Sequence, residues 1–353
     1  MAVRFGTVAV FSLAFLVACS LSAPVSASPK GVEKSKAVRS AAVSRGQVRA
    51  GVKSNKSVAA KKKAPLVKNA VARKAPEPRK PSVPIDPGKL VVQSASALVL
   101  DQSGGDALFQ KNATQVAPIA SITKLMTAMV VLDSSPALTA PITITDDDVD
   151  LLRGSRSRLQ VGSVISRESA LLLALMSSEN RAAHALARHY PGGMPAFLAA
   201  MNIKAQALGM RDTHFEDPTG LTSNNVSTAT DLAKMVTAAY RYPLIREFTT
   251  TAEATVEVSG REVVYHNTNP LVRSGSWDVG LSKTGYIQEA GKCLVMQARV
   301  ADKPVVIVLL DSAGSMTRVG DANRIKRWME YTQASRRVPT QAASISAKGG
   351  PSA

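Results

Sequence analysis

The sequence predicts an α+β fold: an antiparallel sheet flanked by helices, with a helical subdomain. Two strand-like segments over about residues 90–115 precede a long helical block, and strand-like segments return from about residue 249. A last helix is predicted over about residues 321–334. Strands at both ends of one domain, with helices between them, indicate a sheet that is completed by distant parts of the chain.

The strands are predicted where β-branched and apolar residues recur between turn residues. The segments LVVQSASALVLD and DALFQKNATQ flank the Gly-rich turn QSGGD, and APITIT is a further short strand. Five later strands are predicted at TAEATVEVS, REVVYHN, VGLSKTGYI, CLVMQARVA and PVVIVLLDS. Several of these strands are separated by glycine-containing turns, as is usual between antiparallel neighbours.

The helices are predicted where apolar residues recur every three or four positions. The segment PIASITKLMTAMVVL contains such a run from Ile122 to Leu132. Further helices are predicted in the later part of residues 146–190, over 195–208 and over 228–240. These segments make up the helical block between the two groups of strands.

The positive charge of the chain is concentrated before the predicted domain. The formal net charge is +18, and residues 28–89 alone carry 17 Lys and Arg against three acidic residues. This Ala-, Lys- and Pro-rich segment cannot bury enough apolar area to offset its ordering entropy, so it is predicted to be a disordered basic linker. Residues 90–335 form the predicted folded domain, and residues 336–353 a disordered tail.

Residues 1–27 have the layout of a secretory signal peptide. One early arginine precedes an apolar run, and the small residues Val25, Ser26 and Ala27 predict cleavage after Ala27. One alternative is a lipoprotein, because the segment Leu-Val-Ala-Cys that ends at Cys19 resembles a lipid-attachment box. A buried first helix and a membrane anchor are further alternatives. The signal and the lipoprotein reading both predict export.

The predicted export limits the partners that the basic linker can contact. Attraction to anionic cell-wall polymers or to lipid headgroups suits an exported basic segment better than nucleic acid does. A passive solvated tether is an equal alternative. No nucleic-acid partner is therefore expected.

Cysteine and histidine patterns predict neither a disulfide nor a metal site. The two cysteines are Cys19 and Cys293, and Cys293 is alone once the signal is removed. Its place in CLVMQARV predicts a small buried core residue. The four histidines show no metal-ligand spacing, so no metal and no other cofactor is expected.

Two short motifs in the helical block suggest a nucleophile and its base. If Ser121 begins its helix, Lys124 lies on the same face one turn later. Apolar surroundings and a nearby cation lower the pKa of a lysine, so that its neutral amine can activate a serine. The sequence Ser178-Glu179-Asn180 follows 57 residues after Ser121. Both its polar side chains face one site only if the helix breaks there.

A third motif, Lys283-Thr284-Gly285, lies in a predicted strand 105 residues after Ser178. Lys283 and Gly285 face one side of the strand and Thr284 the other, and the glycine would let a ligand backbone approach closely. Each motif alone is common. Together, in this order and spacing, they are the motifs of penicillin-binding proteins and class A β-lactamases.

The chain accordingly resembles the low-molecular-mass penicillin-binding proteins, a D-alanyl-D-alanine peptidase family, over about residues 90–330. The segments that carry the resemblance are ASITKLMTAMVVLD, ALMSSENRAAHALA, FEDPTGL, HNTNPLVR, SKTGY and AGKCLVMQA. The closest likeness is to the endopeptidases of the penicillin-binding protein 7 type. The resemblance implies a β-lactamase/penicillin-binding-protein-like fold and a serine peptidase domain over residues 90–335. It also implies a periplasmic location, peptidoglycan as the substrate, cleavage of its D-alanyl–meso-diaminopimelate cross-links, and β-lactams as covalent inhibitors.

By that resemblance, Ser121 is the acylated nucleophile and Lys124 is its base. Ser178 relays a proton to the leaving amine, and Asn180 holds the substrate amide. A relay from Ser178 to Lys283 is the alternative acylation base.

The strand motif supplies the substrate-binding residues by the same resemblance. Lys283 provides positive charge and Thr284 binds the terminal carboxylate of the substrate. Gly285 and Tyr286 continue this binding strand. The backbone N–H groups of Ser121 and Tyr286 form the oxyanion hole.

Three alternatives to the endopeptidase are weighed. A class A β-lactamase needs Glu-x-x-x-Asn after the second motif, but Glu216 is followed four residues later by Gly220. A carboxypeptidase of the commonest type carries an extra β domain and an amphipathic C-terminal anchor, and TQAASISAKGGPSA has no apolar face. A carboxypeptidase without that appendage stays open, as does a non-catalytic cell-wall-binding protein.

Overall fold

The computed structural model describes residues 88–337. The predicted signal peptide, nearly all of the predicted linker and nearly all of the predicted tail lie outside the described residues. The strands are β1 Ser96–Asp101, β2 Ala107–Lys111, β3 Ala117–Pro118, β4 Pro141–Thr143, β5 Val164–Ser166, β6 Val226–Ser227, β7 Glu253–Val258, β8 Arg261–His266, β9 Asp278–Ile287, β10 Gly291–Val300 and β11 Lys303–Ser312. The α-helices are α1 Lys124–Asp133, α2 Arg167–Met176, α3 Asn180–Arg188, α4 Gly193–Ala207, α5 Ala229–Ala239, α6 Pro243–Thr250, α7 Pro270–Arg273 and α8 Ser315–Arg337.

The main sheet has five antiparallel strands in the order β2-β1-β11-β10-β9. Strand β1 pairs with β11, so that Ser96 lies opposite Leu310. The prediction of a sheet completed by distant parts of the chain is confirmed, and with it the α+β class. Strand β9 forms one edge of this sheet, which leaves one side of the strand without a strand partner in it.

The remaining strands form three two-stranded sheets: β3 with β6, β4 with β5, and β7 with β8. The predicted strands TAEATVEVS and REVVYHN therefore form a hairpin of their own outside the main sheet. Strands β3, β5 and β6 and helices α6 and α7 were not predicted from the sequence.

The two faces of the main sheet are covered by different helices. Leu98 and Val308 point to a large apolar cluster that includes α1, α2 and α5. Val99 and Leu309 point the other way, to a smaller cluster with Ile325 of α8. Helix α1 is buried along almost its whole length, because sheet and helices surround it. Within residues 88–337, no helix is both long and apolar enough to cross a membrane.

Two boundaries differ from the prediction for identifiable reasons. Strand β1 begins at Ser96 rather than Leu90, because the backbone N–H groups of Gln93 and Ser94 donate to the buried carboxylate of Asp321 instead of to a strand. Helix α8 begins six residues before the predicted start at 321. Its first part packs under the sheet, where the buried Arg318 donates to two backbone carbonyls of β9 and β10.

Candidate active site

The three sequence motifs meet beside the edge strand β9. A 3₁₀ turn over Ala120–Thr123 leads into α1 and packs against β9. A Cβ atom built on Gly285 would lie 2.9 Å from the carbonyl oxygen of Ile119 and 3.2 Å from the backbone nitrogen of Ser121. A ligand backbone was predicted to approach the strand at this glycine. The chain's own turn occupies this space, so Gly285 lets Ser121 lie directly against the strand.

Lys124 is the first residue of α1 and is fully buried. Its Nζ donates to Ser121 Oγ at 2.9 Å, to Asn180 Oδ1 at 2.7 Å and to the carbonyl oxygen of Thr219 at 2.7 Å. These three acceptors satisfy all the donors of the amine. Lys124, which lies in a largely apolar helix, therefore has a complete set of hydrogen-bond partners, and one of them is the predicted nucleophile.

Burial controls the charge of Lys124. Desolvation lowers its pKa from 10.5 to about 7, while the negative charges of Asp217, Glu179 and Asp150 act in the opposite direction. A charged amine loses its hydration in this position, which favours the neutral form. Near neutral pH, a substantial fraction of Lys124 is thus able to accept a proton.

Ser178 and Asn180 reach the site because a break that contains Ser178 separates α2 from α3. Helix α2 ends at Met176 and α3 begins at Asn180. Ser178 lies in this break with φ +63°, a left-handed conformation that non-glycine residues rarely adopt. The side chain of Asn180 contacts Lys124 and also donates from Nδ2 to Ser155 Oγ at 2.8 Å. The predicted break is confirmed, and it directs both side chains to one place.

Lys283 extends from β9 into the same site and is also buried. Its Nζ donates to Ser178 Oγ at 2.9 Å and to the carbonyl oxygen of Thr284 at 3.1 Å. Burial is the main reason why the pKa of Lys283 lies well below 10.5, and the charges of Lys124 and Arg318 add to the effect. The site therefore holds two buried lysines, each bonded to a different serine.

Thr284 and Tyr286 lie on the same strand with different surroundings. The Thr284 hydroxyl donates to Thr268 Oγ1 at 2.7 Å, beside the start of α7. Tyr286 is 56% exposed, and the Lys292 ammonium lies 3.1 Å from its ring centroid. All eight residues predicted for the site thus lie on the 3₁₀ turn and α1, on the α2–α3 break or on β9.

The sequence analysis missed three residues of the site. Thr219 contributes a backbone carbonyl, Ser155 holds the amide of Asn180, and Thr268 holds the hydroxyl of Thr284. The segment FEDPTGL could have pointed to Thr219, because Asp, Pro and Gly in one short segment predict a tight turn. Ser155 and Thr268 gave no signal, since a single hydroxyl in a loop is not informative. In the part of the chain that the structure describes, no group of His, Cys, Asp and Glu is placed to hold a metal ion.

The arrangement has the parts of an acyl-transfer site. A serine hydroxyl that contacts a lysine of near-neutral pKa is an activated nucleophile. A second serine bonded to a second lysine can move a further proton within the same site. Backbone N–H groups beside Gly285 can stabilise a developing oxyanion.

Comparisons with known proteins agree with this chemistry. The Peptidase S11 family, described as D-alanyl-D-alanine carboxypeptidase, matches residues 82–314. A protein of Pseudomonas aeruginosa named D-alanyl-D-alanine endopeptidase is 48% identical over 266 residues, which is 75% of this chain and 85% of the relative. An Escherichia coli protein of the same name is 44% identical over 259 residues, covering 73% of this chain and 83% of the relative. The crystal structure of the Streptomyces K15 DD-transpeptidase superposes with a TM-score of 0.64 at 30% identity, over 70% of this chain and 99% of that one.

Proposed function

The chain belongs to the D-alanyl-D-alanine carboxypeptidase family, Peptidase S11, and we propose that it is an endopeptidase that cleaves the D-alanyl–meso-diaminopimelate cross-links of peptidoglycan through a serine acyl-enzyme. The contact of 2.9 Å between Ser121 Oγ and Lys124 Nζ carries the chemical part of this proposal. The choice of an endopeptidase is supported by the names of the two bacterial relatives described above.

In the first step, Ser121 Oγ attacks the D-alanyl carbonyl carbon and gives its proton to Lys124. A pKa of about 7 suits Lys124 for this task, because a general base works best when its pKa is near the working pH. Asn180 fixes the position of Lys124 through its Oδ1 atom. The alternative base, the Ser178–Lys283 pair, has no recorded hydrogen bond to Ser121 within the described residues.

In the second step, the C–N bond breaks and the leaving amine takes a proton from the Ser178 hydroxyl. Protonated Lys283 then gives a proton back to Ser178. Burial favours neutral Lys283 in the empty site. A substrate carboxylate bound at Thr284 would bring a negative charge next to this lysine and favour its protonated form. Substrate binding would thus prepare the proton donor.

Hydrolysis of the acyl-enzyme reverses these transfers. Water attacks the ester carbon and its proton passes to the Ser178–Lys283 pair, while Lys124 returns a proton to Ser121. In both steps, the backbone N–H groups of Ser121 and Tyr286 donate hydrogen bonds to the oxyanion and stabilise it. This assignment is supported by the packing of the Ser121 nitrogen against the Gly285 position.

The predicted location follows from the same function. A cross-linked wall substrate requires export, which the signal-like residues 1–27 predict, and β-lactams would acylate Ser121 in place of the substrate. Contact of the basic linker with an anionic wall or membrane surface stays a prediction.

The proposed function is tested by the products that the purified protein releases. Cross-linked muropeptide dimers and, in parallel, monomeric pentapeptides are incubated with the enzyme and analysed by mass spectrometry, with Ser121→Ala as the inactive control. Conversion of dimers to monomers with little free D-alanine is the expected result. Free D-alanine from pentapeptides, with dimers intact, would make the protein a carboxypeptidase. Turnover of neither substrate, without labelling by a fluorescent penicillin, would favour a wall-binding protein.

A further inference from the structure

The loop of residues 215–225, which contains FEDPTGL, lies beside α1 and is not part of the three motifs. We call it the Asp217 loop. Its contact with the site is the carbonyl oxygen of Thr219, which accepts from Lys124 Nζ at 2.7 Å. That acceptor is a backbone atom, so its position depends on the conformation of the whole loop.

The carboxylate of Asp217 determines that conformation. One oxygen accepts from the backbone N–H and the hydroxyl of Thr219 and from the N–H of Gly220, and the other accepts from the N–H of Thr222 at 2.8 Å. An aspartate that accepts from the following residues in this way fixes a tight turn. The turn directs the Thr219 carbonyl away from Asp217 and toward the amine.

The loop is also fastened to the elements that carry the nucleophile. The buried side chain of Asn225 donates to the Asp217 carbonyl oxygen at 2.8 Å and to Thr123 Oγ1 at 3.1 Å. Gly220 has φ +78°, and a Cβ atom there would lie 1.9 Å from the carbonyl oxygen of Ala120. The loop therefore contacts the 3₁₀ turn of Ser121 directly, and a shift of the loop would move both reactive groups.

We propose that Asp217 is a positioning residue for the acylation of Ser121, because its carboxylate fixes the turn that holds the Thr219 carbonyl against Lys124. In this position, the negative charge of Asp217 also opposes the release of the Lys124 proton. This inference rests on the proposed function, in which Lys124 is the base. It assigns a role to a carboxylate at the place in the sequence where the glutamate pattern of class A β-lactamases is missing.

Asp217 is one of several charges around Lys124. Glu179 from the α2–α3 break and Asp150 from the loop before α2 act in the same direction, and the pKa of Lys283 on β9 is in turn lowered by Lys124. The effect of Asp217 on the pKa of Lys124 is the largest of the three carboxylates. A change confined to Asp217 should therefore be measurable above the effects of the others.

The test measures the rate of acylation by a fluorescent penicillin as a function of pH in the full chain. Asp217→Asn removes the charge with little change of shape, and Glu216→Gln removes the neighbouring exposed carboxylate as the matched control. The acylation rate should rise with pH on the acidic side of the profile, and the midpoint of this acidic limb is the pH at which the rate is half its maximum. For Asp217→Asn, we expect this midpoint to move down by about one pH unit. The limiting rate should also fall about tenfold or more, because a small misplacement of reactive groups is enough for such a loss. The Glu216→Gln profile should match the wild type.

Each outcome bears on a different statement. An unshifted midpoint in folded Asp217→Asn overturns the inference, even if the rate falls. A merely structural role would lower the acylation rate without changing its dependence on pH. Absence of labelling in the wild type overturns the proposed function together with the inference. If Asp217→Asn does not fold, Asp217→Ser takes its place, because a serine hydroxyl can accept from the same turn without a charge. Its midpoint is read in the same way.

Discussion

Lys283 Nζ lies 2.9 Å from Ser178 Oγ, and this hydrogen bond joins the sheet to the helical part of the molecule across the site. The pair Lys124 and Ser121 has the same separation of 2.9 Å within one stretch of chain. The first pair depends on two elements that are 105 residues apart, whereas the second is local. The site thus combines a local nucleophile with a proton donor that exists only in the folded chain.

Acylation should depend on the deprotonation of Lys124. Because burial lowers its pKa to about 7, the rate of labelling by a fluorescent penicillin should rise with pH through about 7 and level off above about 8. Above about pH 8, Lys124→Met should lower that rate by about 10²–10⁴-fold, and the variant rate should not rise with pH through about 7. Lys111→Met is the control, since Lys111 donates to two backbone carbonyls away from the site. A wild-type rate independent of pH between about 5 and 8 would contradict a role for Lys124 as the base.

The same lysine should also make the stability of the protein depend on pH. The unfolded chain keeps the Lys124 proton up to about pH 10.5, whereas the folded chain releases it at about pH 7. Between these values the unfolded state binds more protons, so the free energy of unfolding rises with pH. The difference between the wild type and Lys124→Met should therefore shift in favour of the wild type by about 2 kcal/mol from about pH 7 to about pH 9.

Urea unfolding of both proteins at several pH values measures this shift. Using the difference removes the part of the Lys283 contribution that does not depend on the charge of Lys124, since Lys283 is present in both proteins. A difference that stays constant over that range would mean that Lys124 keeps its ordinary pKa in the folded state.

Much of the fold and of the site followed from local patterns. The strands of the main sheet and the buried helix after Ser121 were predicted from periodicity, because alternation and helical spacing report directly on burial. A helix break at Ser178–Asn180 was predicted on the condition that both side chains face one site, since two positions i and i+2 cannot share a helix face.

The rest depended on contacts between distant parts of the chain. The early start of α8 depends on Arg318, whose acceptors lie on β9 and β10, and no sequence pattern announces such a contact. The Thr219 carbonyl is a backbone atom, so its residue type carries no information about its role. The close approach of Ile119 and Ser121 to Gly285 was not predicted, because it is a tertiary contact that no sequence pattern announces.

Gly285 should be required for the position of the nucleophile. In Gly285→Ala, the new methyl group would lie 2.9 Å from the Ile119 carbonyl oxygen and 3.1 Å from Ala120 Cβ, which is closer than normal contact. The 3₁₀ turn would have to move away from β9, and a misplacement of about 1 Å can lower a rate about 10²-fold. We expect a loss of penicillin acylation of that size.

The control for this change is Gly104→Ala in the turn between β1 and β2, where the nearest atom would be 3.4 Å away at the flexible Asp106 side chain. Circular dichroism should show that both variants keep the fold. Full activity in Gly285→Ala would mean that the turn and the strand can separate without consequence for the chemistry.

Arg153 should restrain the loop that carries it more than it stabilises the protein. Its Nε donates to the carbonyl oxygen of Leu221 at 2.5 Å, and its Nη2 lies 2.9 Å from Glu289 Oε2 in the turn between β9 and β10. The same loop carries Ser155, which accepts from Asn180. Because the ion pair is partly exposed, Arg153→Ala should change the free energy of unfolding by less than about 1 kcal/mol.

The restraint should appear instead in local motion. In Arg153→Ala, amide hydrogen exchange over residues 150–157 should accelerate about tenfold or more while the core helix α1 stays protected, because the loop opens locally rather than with the whole fold. Arg156→Ala, an exposed arginine of the same loop, is the matched control. About 1 M salt should reproduce part of the effect in the wild type, since it screens the ion pair with Glu289. Equal exchange in both variants would indicate that Ser155 and its neighbours hold the loop without Arg153.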